Sequence, residues 1–91
     1  MLSVKNLIKV GAIQVGDIIV WNRKKQGVIV ELTVELNGKF KSMDGKLFGS
    51  PTAAAKNFNG AVEINGWRVW RLKRTGEALD DVRKKYSEMQ D

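Results

Sequence analysis

The stretch over residues 50–70, SPTAAAKNFNGAVEINGWRVW, constrains the fold more than any other part of the chain. It opens with a helix start, because the hydroxyl of Ser50 can accept a hydrogen bond from the first turn and Pro51 suits the first helical position. Three alanines follow and favour continuation of that helix. Asn59 and Gly60 both tolerate positive φ, which is how short helices end. The pattern therefore predicts a short, closely packed internal helix.

The second half of the same stretch predicts extended structure and two large rings. Residues 61–64 read as a brief strand, and Asn65-Gly66 reads as a turn. Trp67 and Trp70 are three positions apart, so in an extended segment their rings point to opposite faces. We expect one ring in the core and the other at the surface, and the sequence leaves open which. The alternative is that both rings cover the alanine-rich helix.

Two more helices are predicted at the ends of the chain. Residues 3–10 form two turns that begin at the cap Ser3 and end at Gly11. Residues 77–89 form a longer amphipathic helix, with acidic residues near its start and basic residues nearer its end, as the helix dipole favours. Its apolar stripe consists of Leu79, Val82, Tyr86 and Met89.

The region between these helices predicts a sheet. Residues 18–21 read as a short strand and residues 28–36 as a longer one. The longer strand alternates apolar and polar positions, so one face is expected in the core and the other in water. Its core-facing positions are Val28, Val30, Leu32, Val34 and Leu36. Residues 22–27, between the two strands, are expected to form an exposed basic loop.

Two later turns set the register of this sheet. A three-residue loop with a bulge at Gly38 places Phe40 beside Val34, whereas a two-residue loop would place it beside a glutamate. We expect the three-residue loop, because it keeps apolar residues together. The same test at the turn around Gly45 aligns Phe40 with Phe48. The predicted fold class is α+β, in which a small antiparallel meander of about four to six strands accompanies the N-terminal, central and C-terminal helices.

Composition predicts one packed domain over residues 1–91. The chain is 43% hydrophobic and 29% charged, as globular proteins are. It has neither cysteine nor histidine, which excludes disulfides, thiolate ligands and the usual zinc site. Its apolar runs are far shorter than the roughly 20 residues of a membrane helix, and its N-terminus lacks the apolar stretch of a signal peptide. We therefore expect a cytoplasmic protein that uses no cofactor or metal and does not bind membranes.

The charge is uneven along the chain. The net charge is +6, and residues 1–74 contain 13 basic and 5 acidic residues, whereas residues 75–91 contain 3 basic and 5 acidic ones. The positive charge therefore belongs to the body of the chain, where it favours a polyanionic partner, nucleic acid first and an anionic membrane surface second. The alternative is that the charge only keeps a small protein soluble.

Catalysis finds little support in the sequence. Without histidine or cysteine, the common activated nucleophiles are excluded. The glycines do not follow a phosphate-loop spacing, and the carboxylates lie in predicted turns or on the water-facing side of a strand. We expect no enzymatic activity. A metal-dependent nuclease that uses Asp44 or Glu63 is an alternative.

Binding is the remaining class of function. Basic side chains interleaved with aromatic rings suit phosphate neutralisation together with contacts to bases. The candidate DNA contacts are Arg23, Lys24, Lys25, Lys41, Asn65, Trp67, Arg68, Trp70 and Arg71.

The motifs of the chain resemble one known family. The order SPTAAA, a short helix, Gly60 and then INGWRVW resembles the RAMA domain, the restriction enzyme adenine methylase associated module. The resemblance extends to a leading Leu-Ile pair before Gly11, to a Val-Gly-Asp turn at residues 15–17, and to a G-x-x-L-x-x-x-R ending over residues 76–83. The signature positions are Ser50, Pro51, Ala53, Ala54, Ala55, Asn65, Gly66, Trp67 and Trp70. Val69 stands where an aromatic residue is usual in the family.

This resemblance implies a small mixed α/β domain that accompanies restriction endonucleases, DNA methyltransferases or other DNA-acting proteins. It implies a non-catalytic module that binds DNA or recognises modified DNA, with a methyltransferase or nuclease as its protein partner. The alternative is a protein-interaction or assembly module in which the tryptophans are structural.

Overall fold

The computed structural model describes residues 3–88 and confirms an α+β fold. Its elements, in chain order, are α1 (Val4–Lys9), β1 (Ile18–Arg23), a 3-10 turn (Lys24–Gln26), β2 (Val28–Val34), β3 (Phe40–Lys41), β4 (Leu47–Phe48), α2 (Pro51–Phe58), α3 (Gly66–Val69), β5 (Arg71–Leu72) and α4 (Leu79–Glu88). The five strands form one antiparallel sheet in the order β4-β3-β2-β1-β5. Met89, which was predicted within the last helix, lies outside the described residues.

Both predicted turns of the meander are confirmed. Val34 pairs with Phe40, and Phe40 pairs with Phe48. Gly38 has a φ of +81° and Gly45 a φ of +87°, so each three-residue loop places its glycine in the left-handed region. The rule that apolar residues pair with one another therefore predicted the register of β2, β3 and β4 correctly.

The sheet has one covered face and one free face. The buried strand residues share one face of the register: Ile19, Leu32, Val34, Phe40, Phe48 and Leu72. The opposite face, here called the outer face, carries Ile18, Val20, Asn22, Ile29, Glu31, Thr33, Lys41, Leu47 and Arg71, none of which is buried. The core therefore lies between the first face and the helices, while the outer face is open to solvent.

The long strand is shorter than predicted. It ends at Val34, and Leu36 is 80% exposed in the following turn. Val28, at the other end, is also exposed, so the apolar alternation marks a buried face only from Val30 to Val34. The reason is tertiary, because Leu36 lies in the turn beyond the end of the strand and Val28 lies at the tip of the β1–β2 hairpin, away from the core.

The β1–β2 hairpin projects beyond the rest of the sheet. β5 pairs only with Ile19 and Val20, and β3 pairs only with Thr33 and Val34. Residues 21–30 therefore form a two-stranded ribbon without neighbouring strands, here called the arm. Its inner face packs against the end of α2, and its outer face is free.

Arg23 corrects the prediction of an exposed basic loop over residues 22–27. It is the last residue of β1 and is half-buried, with its guanidinium 4.6 Å from the centroid of the Trp21 ring. Nη2 donates to Oδ1 of Asn59 at 3.0 Å, and Nη1 donates to the carbonyl oxygen of Phe58. Arg23 thus ties the arm to the end of α2, because a buried helix end needs donors for its free carbonyl groups.

The predicted central helix and its boundaries are confirmed. The hydroxyl of Ser50 accepts from the backbone N–H of Ala53 at 3.0 Å, and Pro51 occupies the first turn. The predicted N-terminal helix is confirmed too, with Ser3 and Asn6 capping each other. Such reciprocal caps satisfy N–H groups that have no partner within the helix.

The predicted strand over residues 61–64 is wrong. Gly60 and Ala61 both have positive φ, at +64° and +66°, and these residues pair with no strand among those described. The backbone N–H of Ala61 donates to the carbonyl of Lys56 at 3.0 Å, so the chain folds back over the end of α2. An alanine in this region is strained, and local propensity does not predict it.

The predicted turn at Asn65-Gly66 is also wrong, because Asn65 begins the short helix α3. Its side-chain oxygen accepts from the backbone N–H of Trp67 at 3.1 Å. The tryptophans therefore lie in and just after a helical turn, not in a strand. One ring is nevertheless in the core and the other partly at the surface: Trp70 is 0% exposed and Trp67 is half-buried.

Candidate nucleic-acid interface

Four of the predicted contact residues are exposed cations without a partner. Lys24 and Lys25 lie at the tip of the arm, Lys41 lies on β3, and Arg68 lies on α3. Within residues 3–88, their charged groups make no hydrogen bond or ion pair. A phosphate that meets such a side chain does not have to displace a protein carboxylate, so these residues are best suited to bind a polyanion.

Other cations already serve the fold. Arg74 binds Asp17 through two hydrogen bonds, Nε to Oδ1 at 3.0 Å and Nη2 to Oδ2 at 2.9 Å. This contact lowers the pKa of the Asp17 carboxyl and raises that of the Arg74 guanidinium. Lys73 pairs with Glu31 at 3.0 Å, so the carboxylate of the outer face is neutralised within the protein.

The outer face holds cations near both of its edges. Lys41 lies on β3 and Arg71 on β5, with two strands between them in the sheet order, and the three strand spacings correspond to about 14 Å. Arg71 is exposed and donates one of its N–H groups to the carbonyl of Gly76 at 2.9 Å, which leaves its other donors available. The outer face of the arm continues the face that carries Lys41 and Arg71, and Lys24 and Lys25 lie in the turn at its end.

Asn65, Trp67 and Arg68 lie in the helical layer on the other side of the sheet. The oxygen of Asn65 is used as a helix cap, and the guanidinium of Arg83 lies 4.1 Å from the centroid of the Trp67 ring. Trp67 also lines a cavity of about 180 Å³ between α1, the β2–β3 turn and the start of α2. The structure therefore divides the predicted contact residues between two surfaces.

A comparison with protein-family models matches residues 1–91 to RAMA, Restriction Enzyme Adenine Methylase Associated. The chain belongs to the RAMA family. No curated protein matches it significantly. The description of the family ties RAMA domains to restriction-modification systems.

The RAMA signature of this chain forms the junction between α2 and α3. A Cβ atom on Gly66 would lie 2.1 Å from the carbonyl carbon and oxygen of Pro51, so only glycine fits there. The backbone N–H of Gly66 donates to Oγ1 of Thr52 at 3.3 Å, and Nε1 of Trp70 donates to the carbonyl oxygen of Pro51 at 3.0 Å. The two halves of the signature thus bind each other, and they identify the family through its fold.

Trp70 is consequently removed from the candidate contacts. Its ring is fully buried and packs edge-on against Trp21 and Phe58, with centroids 5.7 and 6.3 Å away. A ring held in this way cannot reach a base unless the core opens. Arg23 is also a weak candidate for a DNA contact, because its guanidinium already donates to the carbonyl oxygen of Phe58 and to the side chain of Asn59 at the end of α2.

Sequence reasoning missed three exposed residues of the arm. Asn22 and Ile29 are directly opposed on its outer face, and Gln26 lies at its tip. The alternating pattern of β2 already places Ile29 on the water-facing side, where it is 63% exposed. Single exposed apolar residues are common on protein surfaces, so this pattern alone does not mark the arm as a contact surface.

Residues 3–88 contain no cluster of three or more acidic, histidine or cysteine side chains that could hold a metal ion. No helix in that range is long and apolar enough to cross a membrane.

Proposed function

We propose that residues 1–91 of this RAMA chain act as one non-catalytic module that binds DNA. The observation that carries this proposal is the projecting arm, whose tip presents Lys24 and Lys25 without any neutralising carboxylate. Lys41 and Arg71 lie on the same side of the molecule and supply further phosphate contacts. Arg68 lies in the other layer and is not part of this surface. The link of the family to adenine methylases agrees with a DNA partner.

Salt dependence tests the proposal directly. Four phosphate contacts, from Lys24, Lys25, Lys41 and Arg71, correspond to a slope of about −3.6 in log affinity against log salt concentration. Fluorescence anisotropy with a mixed-sequence duplex measures this slope. The variant Lys41→Ala should reduce its magnitude by about one unit. Absence of binding at low salt, or affinity that does not change with salt, rejects the proposal.

Recognition of modified DNA is the finer form of the same function. The N6 group of adenine faces the major groove, so a protein that reads this groove can sense its methylation. Parallel titrations of duplexes with and without N6-methyladenine separate the two forms. A difference in affinity assigns the module to modified DNA, and equal affinities assign it to DNA in general. Incubation of the duplex with magnesium should leave it uncut, because we propose no nuclease role for Asp44 or Glu63.

A second candidate function is docking of an extended segment from the methyltransferase or nuclease of the same system. β3 pairs with β2 only at Thr33 and Val34. The backbone groups of Ile29 and Glu31 that point toward the β3 side of the sheet therefore have no strand partner. Beside them lies a groove of about 290 Å³, lined by Ile29, Val30, Glu31, Ser42, Met43, Asp44 and Phe58. Of its two carboxylates, that of Glu31 is paired with Lys73, and that of Asp44 makes no ion pair within residues 3–88, so the groove favours a segment that carries apolar residues and a basic one.

Hydrogen exchange distinguishes this second function from DNA binding. Strand addition should protect the amides of Ile29 and Glu31 when the partner enzyme binds. If the partner binds and both amides exchange as fast as before, docking at this edge is excluded.

A further inference from the structure

We propose that the arm enters the major groove of duplex DNA, where Asn22 and Ile29 together read A·T base pairs. This inference rests on the DNA binding proposed above and specifies which element reads bases and which bases it prefers. It depends on the shape of the arm, on the chemistry of its outer face and on the charges around it.

The shape of the arm fits the groove. Two strands lie about 4.8 Å apart, and the major groove, about 12 Å wide, admits a two-stranded ribbon. The arm has no neighbouring strand on either edge, because β5 and β3 end before Trp21 and Val30. Its inner face is covered through Trp21, Arg23 and the end of α2. The outer face is therefore the face that can meet the bases.

The chemistry of that face matches an A·T pair. Asn22 and Ile29 are cross-strand partners, so their side chains stand next to each other on the outer face. The carboxamide of Asn22 is exposed and makes no hydrogen bond within residues 3–88, so it can bind N6 and N7 of adenine. Ile29 is 63% exposed and can contact the methyl group of thymine. An A·T pair presents both groups in the major groove.

The charges around the arm are mostly positive or neutralised, the exception being the carboxylate of Asp44, which lines the same groove as Ile29. Lys24 and Lys25 extend from the tip, where they can bind phosphates on the walls of the groove. Glu31, the next outer-face residue of β2 after Ile29, is neutralised by Lys73 at 3.0 Å. Arg23 holds the arm in place against α2, which reduces the entropy lost on binding.

A single-methyl change in DNA tests the inference. Affinity is measured for a duplex of alternating adenine and thymine and for the same duplex in which uracil replaces every thymine. This replacement removes only the methyl group, so the charge and the minor-groove edge of the duplex do not change. Wild-type protein should bind the uracil duplex about four-fold more weakly, the effect of one buried methyl group. The variant Ile29→Ala should bind both duplexes equally, which also controls for changes in DNA flexibility.

A second pair of measurements tests Asn22. Replacement of adenine by 7-deazaadenine removes the N7 acceptor and should weaken wild-type binding about five-fold, whereas Asn22→Ala should lose nothing further. Both substituted residues are exposed, so an unchanged thermal midpoint is expected to show that each variant is folded.

The outcomes separate this inference from the proposed function. Salt-dependent binding with equal affinity for the thymine and uracil duplexes overturns major-groove reading by the arm and leaves DNA binding intact. Failure to bind any duplex overturns both. A thymine preference that persists in Ile29→Ala also overturns the inference, because another residue would then contact the methyl group.

Discussion

Gly66 is one of the positions through which this chain resembles the RAMA family, and in this structure its role is close backbone packing. It lies in α3, where glycine is a poor helix former, yet its missing side chain lets the backbone of α3 approach that of Pro51. The buried ring of Trp70 then reaches the same carbonyl oxygen. The type of residue at this position is therefore fixed by a backbone contact between α2 and α3.

The variant Gly66→Ala should destabilise the protein strongly. Helix propensity alone would make alanine about 1 kcal/mol better in α3. The new Cβ would lie 2.1 Å from two backbone atoms of Pro51 and 2.4 Å from the backbone nitrogen of Thr52, which no rotamer change relieves. We expect a net loss of at least about 3 kcal/mol in the free energy of unfolding, measured by denaturant titration.

Gly49→Ala is the matched control for this prediction. A Cβ at Gly49 would meet nothing within 4 Å, and its φ is not positive. Its stability should stay within about 0.5 kcal/mol of the wild type. Equal free energies of unfolding for the two variants would show that α2 and α3 are not in close backbone contact at Gly66.

Asp17 should make stability depend on acid pH. Arg74 lowers the pKa of its carboxyl through two hydrogen bonds, and the backbone N–H of Gln14 donates to Oδ2 as well. A lowered folded-state pKa stabilises the protein above the ordinary value for aspartate, and this stabilisation is lost as the pH falls through the lowered value. Asp17→Asn should therefore be less stable than wild type at pH 7 and lose less stability below about pH 4.

A thermodynamic cycle with Arg74→Gln checks the cause. If the pair is responsible, the double variant should be no less stable than either single variant. Additive losses, or an acid dependence as large in Asp17→Asn as in wild type, would assign the effect to other carboxyl groups.

The tryptophans show what residue patterns can and cannot predict. The spacing of Trp67 and Trp70 predicted that the rings would face different environments, and they do. It did not predict which ring is buried, because that depends on the position of the carbonyl of Pro51, a distant residue in the chain. Whether a ring is buried depends on tertiary packing. In addition, the three-residue spacing of the tryptophans is compatible with both a strand and a helical turn, so it could not decide between them.

At the scale of elements, the sequence predicted the meander better than its surroundings. Both hairpin turns follow from local rules, since glycine position and apolar alignment select one register. Local rules do not predict the segment at Ala61, because it depends on an alanine with a strained positive φ. They do not predict β5 either, because this strand forms only through its pairing with β1. The arm was not predicted either, because it also depends on tertiary pairing. It projects from the sheet because β3 and β5 are too short to pair with residues 21–30.

Arg23 should stabilise the arm without being a DNA contact. In Arg23→Gln, the carbonyl of Phe58 and the side chain of Asn59 lose a charged donor, so stability should fall by about 1 to 2 kcal/mol. Amide exchange in residues 21–30 should accelerate more than in the rest of the sheet. Denaturant titration and hydrogen exchange measure these two effects.

Lys24→Gln provides the opposite control. Lys24 is exposed and its ammonium has no partner within residues 3–88, so stability should not change while DNA affinity falls. If Arg23→Gln keeps full stability, the role of Arg23 as a tie between arm and α2 is rejected.

At the scale of the whole molecule, the positive charge divides into two classes. Some cations are paired with carboxylates, such as Lys56 with Glu63 at 4.0 Å and Lys84 with Asp80 at 3.4 Å. Others, at the arm tip and on the outer face, are not. Net charge by itself attracts any polyanion weakly, whereas unpaired cations on one surface can fix a ligand in one orientation.

Two variants with equal net charge should therefore bind DNA differently. Lys24→Ala with Lys25→Ala, and Lys56→Ala with Lys84→Ala, each lower the net charge from +6 to +4, since two positive charges are removed. The first pair should reduce the magnitude of the salt slope by about 1.8 and weaken binding, because two phosphate contacts are lost. The second pair should leave the slope within error of wild type, because those ammonium groups are paired with carboxylates and lie on helices, not on the outer face of the sheet. Equal losses in both variants would mean that overall charge governs binding and that the arm has no special role.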